Sequence, residues 1–317
     1  MKLVVLLPHE KDSLNNTIYR EDVDYEYAFK ESGLFFRVFR RICFYFSILK
    51  QEFFAFSAKK IKLADVVLIY QCLYPLEIIK EIRRINENCR IIFFCWGSVV
   101  DMRDKFLYKG QKMFQSLLNA REILKFEIWS FDKNDCDTYE LKYNNQMCVY
   151  FNNLKDIPVQ YDVAFIGFEK GRLDVLKNIK QILNNYGITS YIKVIPMRYK
   201  RYSEYDCDFF LQRKEIPYLD FLKMELKGKV LLEIVQEGQS DITWRALEAL
   251  FYNKKIITNC SRIKEYDFYK AENVFILGED DMDRLPEFVA GKFIPIEDYI
   301  IERYKLKKWI LNFGIEI

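Results

Sequence analysis

The sequence predicts an α/β protein built from two doubly wound halves, and three observations predict it. Short apolar runs alternate with segments whose apolar residues recur at helical spacing. The alternation stops at the polar, proline-bearing stretch YFNNLKDIPVQ (150–160) and then starts again. The length of 317 residues suits two domains at roughly 150 residues each.

In the first half, LVVLL (3–7), DVVLIY (65–70), RIIFFC (90–95) and FEIWSF (126–131) are apolar enough to be buried strands. PLEIIKEIRRINEN (75–88) places Leu76, Ile78, Ile79, Ile82 and Ile85 along one helical face. Strand, helix, strand is the unit of a parallel sheet. In the second half, YDVAFIGF (161–168), SYIKVIPM (190–197), KVLLEIV (229–235), KKIITN (254–259) and NVFIL (273–277) predict strands. GRLDVLKNIKQILNNYG (171–187) and DITWRALEALFYN (241–253) predict helices. Residues 1–155 are thus expected as one Rossmann-like domain and 156–295 as another. IEDYIIERYKLKKWILNF (296–313) is expected as a helix within a closing segment, 296–317, that can cross back to the first domain. Two such domains facing each other leave a cleft, and open parallel sheets bind ligands at the carboxyl ends of their strands. The informative loops are therefore those that follow strands.

Composition narrows the chemistry. A net charge of +3 without a basic tail gives no footprint for nucleic acid. The eight cysteines include no CxxC pair, and Cys72, Cys95 and Cys148 lie in or beside apolar runs. This favours buried reduced thiols in a cytoplasmic protein over a disulfide framework or a zinc site. His9 is the single histidine, which removes multi-histidine metal sites. The start, MKLVVLLPHE, is too short in its apolar run for a signal peptide. No stretch reaches the ~18 apolar residues of a membrane span.

Two loops of the second half carry the strongest chemistry. QEGQSD (236–241) joins a strand to a helix; Gly238 permits a tight turn, and Ser240 or Asp241 can cap the helix. A helix start preceded by glycine offers free N–H groups to an anion. Glu248, seven residues after Asp241, shares its helical face about 10 Å further on at 1.5 Å per residue, the offset between a diphosphate and the ribose of one nucleotide. The same residues also make an ordinary amphipathic helix, with Arg245 and Glu248 as a surface pair and Ile242, Ala246, Leu247 and Leu250 turned to the core. The second loop, FIGFEKGRLDVL (165–176), sets Gly167, Lys170, Gly171 and Arg172 before another helix, with Arg172 suited to bidentate phosphate contact. A P-loop is absent.

In the first half, His9 follows the first strand and YREDVDYEYAF (19–29) offers Asp22 and Asp24; each is a candidate general base. CWGS (95–98) and SFDKND (130–135) also end strands. Asp206 to Asp208 and EDDMD (279–283) are acidic patterns, but neither clearly ends a buried strand, so no metal site is assigned.

With these residues in place the second half resembles bacterial glycosyltransferases of the GT-B type, in the group that makes lipopolysaccharide core or capsular polysaccharide. YDVAFIGFEKGRLDVL (161–176) and LLEIVQEGQSDITWRALEALFYNKKIITNCSRIKEYDFYKAENVFIL (231–277) carry the resemblance, which extends over most of 125–310. It implies a hexosyltransferase-like, metal-independent enzyme, with a nucleotide-sugar donor bound by the second domain and a saccharide or glycolipid acceptor bound by the first. No cofactor beyond the donor is implied. Gly167, Lys170, Arg172, Gly238, Gln239, Ser240, Asp241, Thr243, Arg245 and Glu248 would then hold the donor. In an inverting reaction His9, Asp22 or Asp24 would deprotonate the acceptor. The chain departs from the retaining pattern of two glutamates flanking a short glycine-rich turn, because Glu237 and Glu248 stand too far apart; the stereochemical course stays open.

The basic aromatic stretch 35–62, with Arg37, Arg40, Arg41, Lys50, Lys59, Lys60 and Lys62, suits contact with the cytoplasmic face of an anionic inner membrane. It equally suits a half-buried helix with snorkelling arginines. Two other readings share the layout. A two-domain small-molecule binding protein would ordinarily be secreted, and a nucleotide-sugar-modifying dehydrogenase or epimerase would carry GxGxxG after the first strand, where LLPHEKDS (6–13) has no glycine.

Overall fold

The alternating pattern resolves into two parallel sheets in the computed structural model, which describes residues 1–8, 23–30, 33–46, 48–70, 72–99, 110–197, 200–211 and 216–316. Among these residues the first sheet holds β1 (Leu3–Leu7), β2 (Tyr25–Tyr27), β3 (Val66–Tyr70), β4 (Arg90–Cys95), β5 (Phe126–Ser130) and β6 (Lys142–Tyr143), in the order β2-β1-β3-β4-β5-β6. The second holds β7 (Tyr161–Phe168), β8 (Ser190–Ile195), β9 (Gly228–Glu233), β10 (Lys255–Thr258) and β11 (Val274–Ile276), in the order β11-β10-β9-β7-β8. Every neighbouring pair is parallel. Both sheets start in the interior, step one strand outward, then cross to the other side and continue. The same winding occurs twice, so the chain contains two Rossmann-like units. One compact unit comprises Met1–Gln146 with Leu306–Ile317; the other comprises Met147–Lys305.

Burial explains the unbroken apolar runs. All of β1 and β3, and β4 after Arg90, are buried, as strands covered on both faces must be. Among the described residues of the first unit the helices are α1 (Leu34–Tyr45), α2 (Ala58–Leu63), α3 (Pro75–Ile85), α4 (Gly110–Ala120) and α5 (Lys133–Tyr139). The second unit has α6 (Leu173–Asn185), α7 (Tyr218–Glu225), α8 (Trp244–Phe251), α9 (Leu285–Ala290) and α10 (Asp298–Glu302), and α11 (Leu306–Leu311) closes the chain. α3 starts at Pro75, whose fixed φ suits a first turn, and turns Ile78, Ile79 and Ile82 into the core.

Two departures have plain causes. β2 lies where the sequence offered only a carboxylate-rich loop, because an edge strand of half-buried residues needs no apolar run. The helix expected over 296–313 divides into α10 and α11. Its first part is held in the second unit, where Tyr304 Oη and Arg303 donate to Asp267, each at 2.6 Å. Its second part belongs to the first unit, where Trp309 is fully buried against Phe94 and Phe313 and donates through Nε1 to the Asn145 carbonyl at 2.7 Å. Each half of the segment serves a different core, and the helix stops between them. Among the described residues, no helix is long and apolar enough to cross a membrane. The cysteines are free thiols, all buried except Cys207.

Candidate functional site

In the second sheet the strand order turns round between β7 and β9. Connections leave such a pair of strands toward opposite sides, which is the geometry that opens a ligand crevice in α/β sheets. The two loops singled out in the sequence border this point: residues 169–172 lead from β7 to α6, and residues 234–243 lead from β9 to α8.

Glu169 follows β7 and is fully buried. Its carboxylate accepts from Lys200 Nζ at 2.8 Å, from the Tyr202 hydroxyl at 3.1 Å, and from the Leu173 N–H, the first of α6, at 3.4 Å. Burial works against its charge, but Lys200, the Gly171 N–H and Tyr202 together hold the carboxyl below its usual range. The start of α6 thus already holds an anion, and that anion belongs to the chain itself. Half-buried Lys170 follows at φ 41°.

Arg172 does not point its guanidinium outward for a phosphate, as the sequence suggested. Nη1 donates to the Ile234 carbonyl at 2.7 Å and Nη2 donates to the Phe168 carbonyl, with the guanidinium over the Phe165 ring. Gly167 leaves the path open, since a Cβ there would stand 3.2 Å from Arg172 Nη2 and 3.3 Å from the Phe165 ring. Arg172 therefore ties the end of β7 to the end of β9 and fixes the spacing of the two loops.

Glu233 closes β9 and is likewise fully buried. Oε1 accepts from the Thr243 N–H at 2.7 Å and from its hydroxyl at 2.6 Å, while Oε2 accepts from the Thr258 hydroxyl at 2.7 Å. Thr243 in turn caps α8 by accepting from the Arg245 N–H at 3.2 Å. The expected cap at Ser240 or Asp241 is thereby corrected, and the helix starts at Trp244 because the segment before it is pinned elsewhere. The segment after β10 does the pinning. Asn259 Oδ1 accepts from the Val235 N–H at 2.7 Å, the Cys260 thiol donates to the Ser240 carbonyl at 3.6 Å, and the Tyr266 hydroxyl donates to buried Asp241 at 2.6 Å. On this base the tip turns at Gly238, φ 81°, with the Gln239 N–H donating to the Gln236 carbonyl at 3.1 Å. Gln236, Gln239 and Ser240 are half-exposed, and Glu237 and Gly238 are exposed.

Beneath the tip, α8 carries a buried polar cluster. Arg245 Nε donates to Glu225 and Nη2 to the Ile166 carbonyl, with the guanidinium over Phe165 at 4.6 Å. Glu248 is 2% exposed and accepts from the Tyr218 hydroxyl at 2.6 Å. Burial pushes both carboxyls up, and the Arg245 guanidinium draws both the other way. Both side chains have partners within the chain, and helical spacing could not reveal that Glu225 and Tyr218 lie opposite them.

In the first unit, His9 and Asp22 lie outside the described residues. Asp24 is placed at the amino end of β2, away from the strand ends where ligands bind, and pairs with Lys60 at 2.7 Å. CWGS and SFDKND do meet at the carboxyl ends of β4 and β5, where the Val99 N–H donates to Asp135 at 2.7 Å. The acidic patterns are spent on turns: Asp206 closes a capping box with Ser203 and pairs with Lys177, and Asp280 accepts from the Ile276 N–H at 2.6 Å. Among the described residues, no group of three or more His, Cys, Asp or Glu side chains is gathered for a metal ion.

Glu169, Glu233, Lys200 and Asn259 were not singled out from the sequence. Glu233 had a legible signal, a carboxylate ending an apolar run. Lys200 had none, since only the fold brings it to Glu169, 31 residues away in the chain.

No protein-family model matches the chain, and no curated protein matches it. Among solved structures, the chain is similar to HepE of Anabaena in complex with UDP, at 10% identity and TM-score 0.43, over 99% of this chain and 94% of the other. It is also similar to a Glycyrrhiza uralensis protein complexed with glycyrrhetinic acid 3-O-monoglucuronide, at 9% identity and TM-score 0.43, over 97% and 91% of the two chains. The two Rossmann-like units rest on strand order rather than on these likenesses.

Proposed function

We propose that the chain is a glycosyltransferase that moves a sugar from a nucleotide-sugar donor to a saccharide or lipid-linked saccharide, in the synthesis of a bacterial surface polysaccharide such as lipopolysaccharide or capsule. The observation that carries the reading is the placement of loops 169–172 and 234–243 on either side of the β7/β9 switch point. The resemblance over 161–176 and 231–277 to GT-B glycosyltransferases supports it, and those residues contain the same two loops.

In this reading the second unit holds the donor and the first unit holds the acceptor. Backbone groups of the exposed tip around Gly238 and the ammonium of Lys170 meet the diphosphate. When the acceptor oxygen bonds to the anomeric carbon, the bond from that carbon to the diphosphate oxygen breaks, and the charge left on the diphosphate falls to these donors. Arg172, Glu233, Asn259 and Tyr266 keep the loops in place. In an inverting reaction a base of the first unit, His9, Asp22 or Asp24, takes the acceptor proton.

Calorimetric titration with UDP, GDP and CMP, each beside its nucleoside, tests the reading. One nucleotide binds, and Lys170→Ala weakens it by about 1.5–3 kcal/mol, the range for hydrogen bonds to a charged group, while leaving nucleoside affinity unchanged. An equal loss for nucleotide and nucleoside, or no binding of any nucleotide by the parent chain, would contradict the donor site.

A further inference from the structure

Helix α1 is anchored to the first unit by one face and carries a second apolar face outward. Inward, Arg40, Cys43 and Phe44 are buried, with the Arg40 guanidinium 4.4 Å from the centre of the Phe29 ring and Phe44 packed edge-on against Phe53. Outward, Phe35 is 89% exposed, and Val38, Phe39, Ile42 and Tyr45 are exposed with it. These positions recur at i, i+3, i+4, i+7 and i+10, the spacing of a single helical stripe. The inward contacts already secure the helix, so the outward stripe is surplus to the fold, and contiguous apolar surface of this kind marks a contact site.

We propose that α1 lies in the surface of an anionic lipid bilayer. Phe35, Phe39 and Ile42 enter the interface between headgroups and acyl chains, and Arg37, Arg41 and Lys50 meet lipid phosphates. Charge selects this occupant. Over 33–63 the exposed basic residues Arg37, Arg41, Lys50, Lys59 and Lys62 face one exposed acid, Glu52, while Lys60 is neutralised by Asp24 and Glu26. A basic margin beside an aromatic stripe is the chemistry of an interfacial helix on anionic lipid. Length fixes the posture: the 12 residues of α1 rise about 18 Å at 1.5 Å per residue, short of the ~20 residues a span requires. The helix therefore lies along the surface. The inference does not depend on the proposed transfer reaction, and no nucleotide enters its test.

Co-sedimentation of the full chain with vesicles of phosphatidylcholine, alone or mixed with phosphatidylglycerol, tests it. The chain sediments with the mixed vesicles and much less with phosphatidylcholine alone, and high salt releases it. F35S/F39S lowers partitioning at least about tenfold, as loss of two buried aromatic side chains should, and F35S alone, at a side chain 89% exposed, lowers it with an unchanged circular dichroism melt. R37E/R41E removes the preference for the anionic vesicles. Equal binding to both vesicle types overturns the anionic assignment. Absence of vesicle binding overturns the proposal, and self-association without vesicles that F35S/F39S abolishes would then assign the stripe to a second copy of the chain.

Discussion

The two units wind their strands in the same order but furnish them differently. In the second unit, β7 and β9 are each followed or closed by a buried carboxylate, Glu169 and Glu233, that binds the start of the next helix and holds a loop in place. In the first unit, α3 starts at Pro75 after a left-handed Tyr74 and no side chain caps it, while buried Asp132 caps α5 after β5. That unit's distinctive feature is instead the outward stripe of α1. The contrast teaches that winding alone does not assign a role; the groups attached at strand ends and helix faces do.

Two carboxyl clusters, one in each unit, respond oppositely to pH. In the first unit Glu127 accepts from Arg90 at 2.7 Å, Trp129 at 2.8 Å and Lys142 at 3.1 Å. Burial opposes its charge, but these partners bring the carboxyl down to about 2. In the second unit burial pushes Glu225 and Glu248 up. A depressed carboxyl stabilises the fold above its unfolded value and loses that contribution as pH falls through its folded value. A raised carboxyl does the reverse and loses its contribution as pH rises.

The largest expected effect breaks the second unit alone. Arg245→Met leaves Glu225 and Glu248 without their cation and destabilises by about 3–5 kcal/mol, measured by urea unfolding. Adding Glu225→Leu recovers most of that loss, since an apolar pair of similar size can replace a buried ion pair. A smaller effect falls on the switch point. Arg172→Ala loses its bonds to the Phe168 and Ile234 carbonyls and costs about 1.5–3 kcal/mol. It also weakens nucleotide binding, because the loop spacing is released. Arg172→Lys fails to restore either property, as one ammonium cannot make both bonds in that geometry.

The pH contrast gives the two smallest effects. Glu127→Gln flattens the loss of stability as pH falls from the unfolded carboxyl value of about 4.3 toward about 2, read from unfolding midpoints across that range. Glu248→Gln removes one of the two raised carboxyls while still accepting from Tyr218. It therefore lessens the decline in stability as pH rises above about 4.3 and leaves nucleotide affinity unchanged. A clear loss of affinity in Glu248→Gln would return this side chain to the ribose, the role its helical spacing suggested.

Much of the architecture was legible, because strands buried on both faces must be written as apolar runs; RIIFFC and YDVAFIGF show it directly. The strand YEY was not, since an edge strand of half-buried residues carries no such run. At the site, the sequence located both loops through their glycines and basic residues. It did not show the partners of Arg172, Arg245 and Glu248, whose spacing fits a ligand as well as it fits a core. What decides between the two is the partner across the fold, the Ile234 carbonyl for Arg172, Glu225 for Arg245 and Tyr218 for Glu248, and no local pattern encodes that partner.

A crystal structure of the chain with its nucleoside diphosphate bound tests the central claim most directly. The account predicts the diphosphate within hydrogen-bond distance of backbone groups at the tip around Gly238 and of Lys170 Nζ, with Glu248 still bonded to Tyr218. A diphosphate held away from the β7 and β9 strand ends, with both loops untouched, would contradict it.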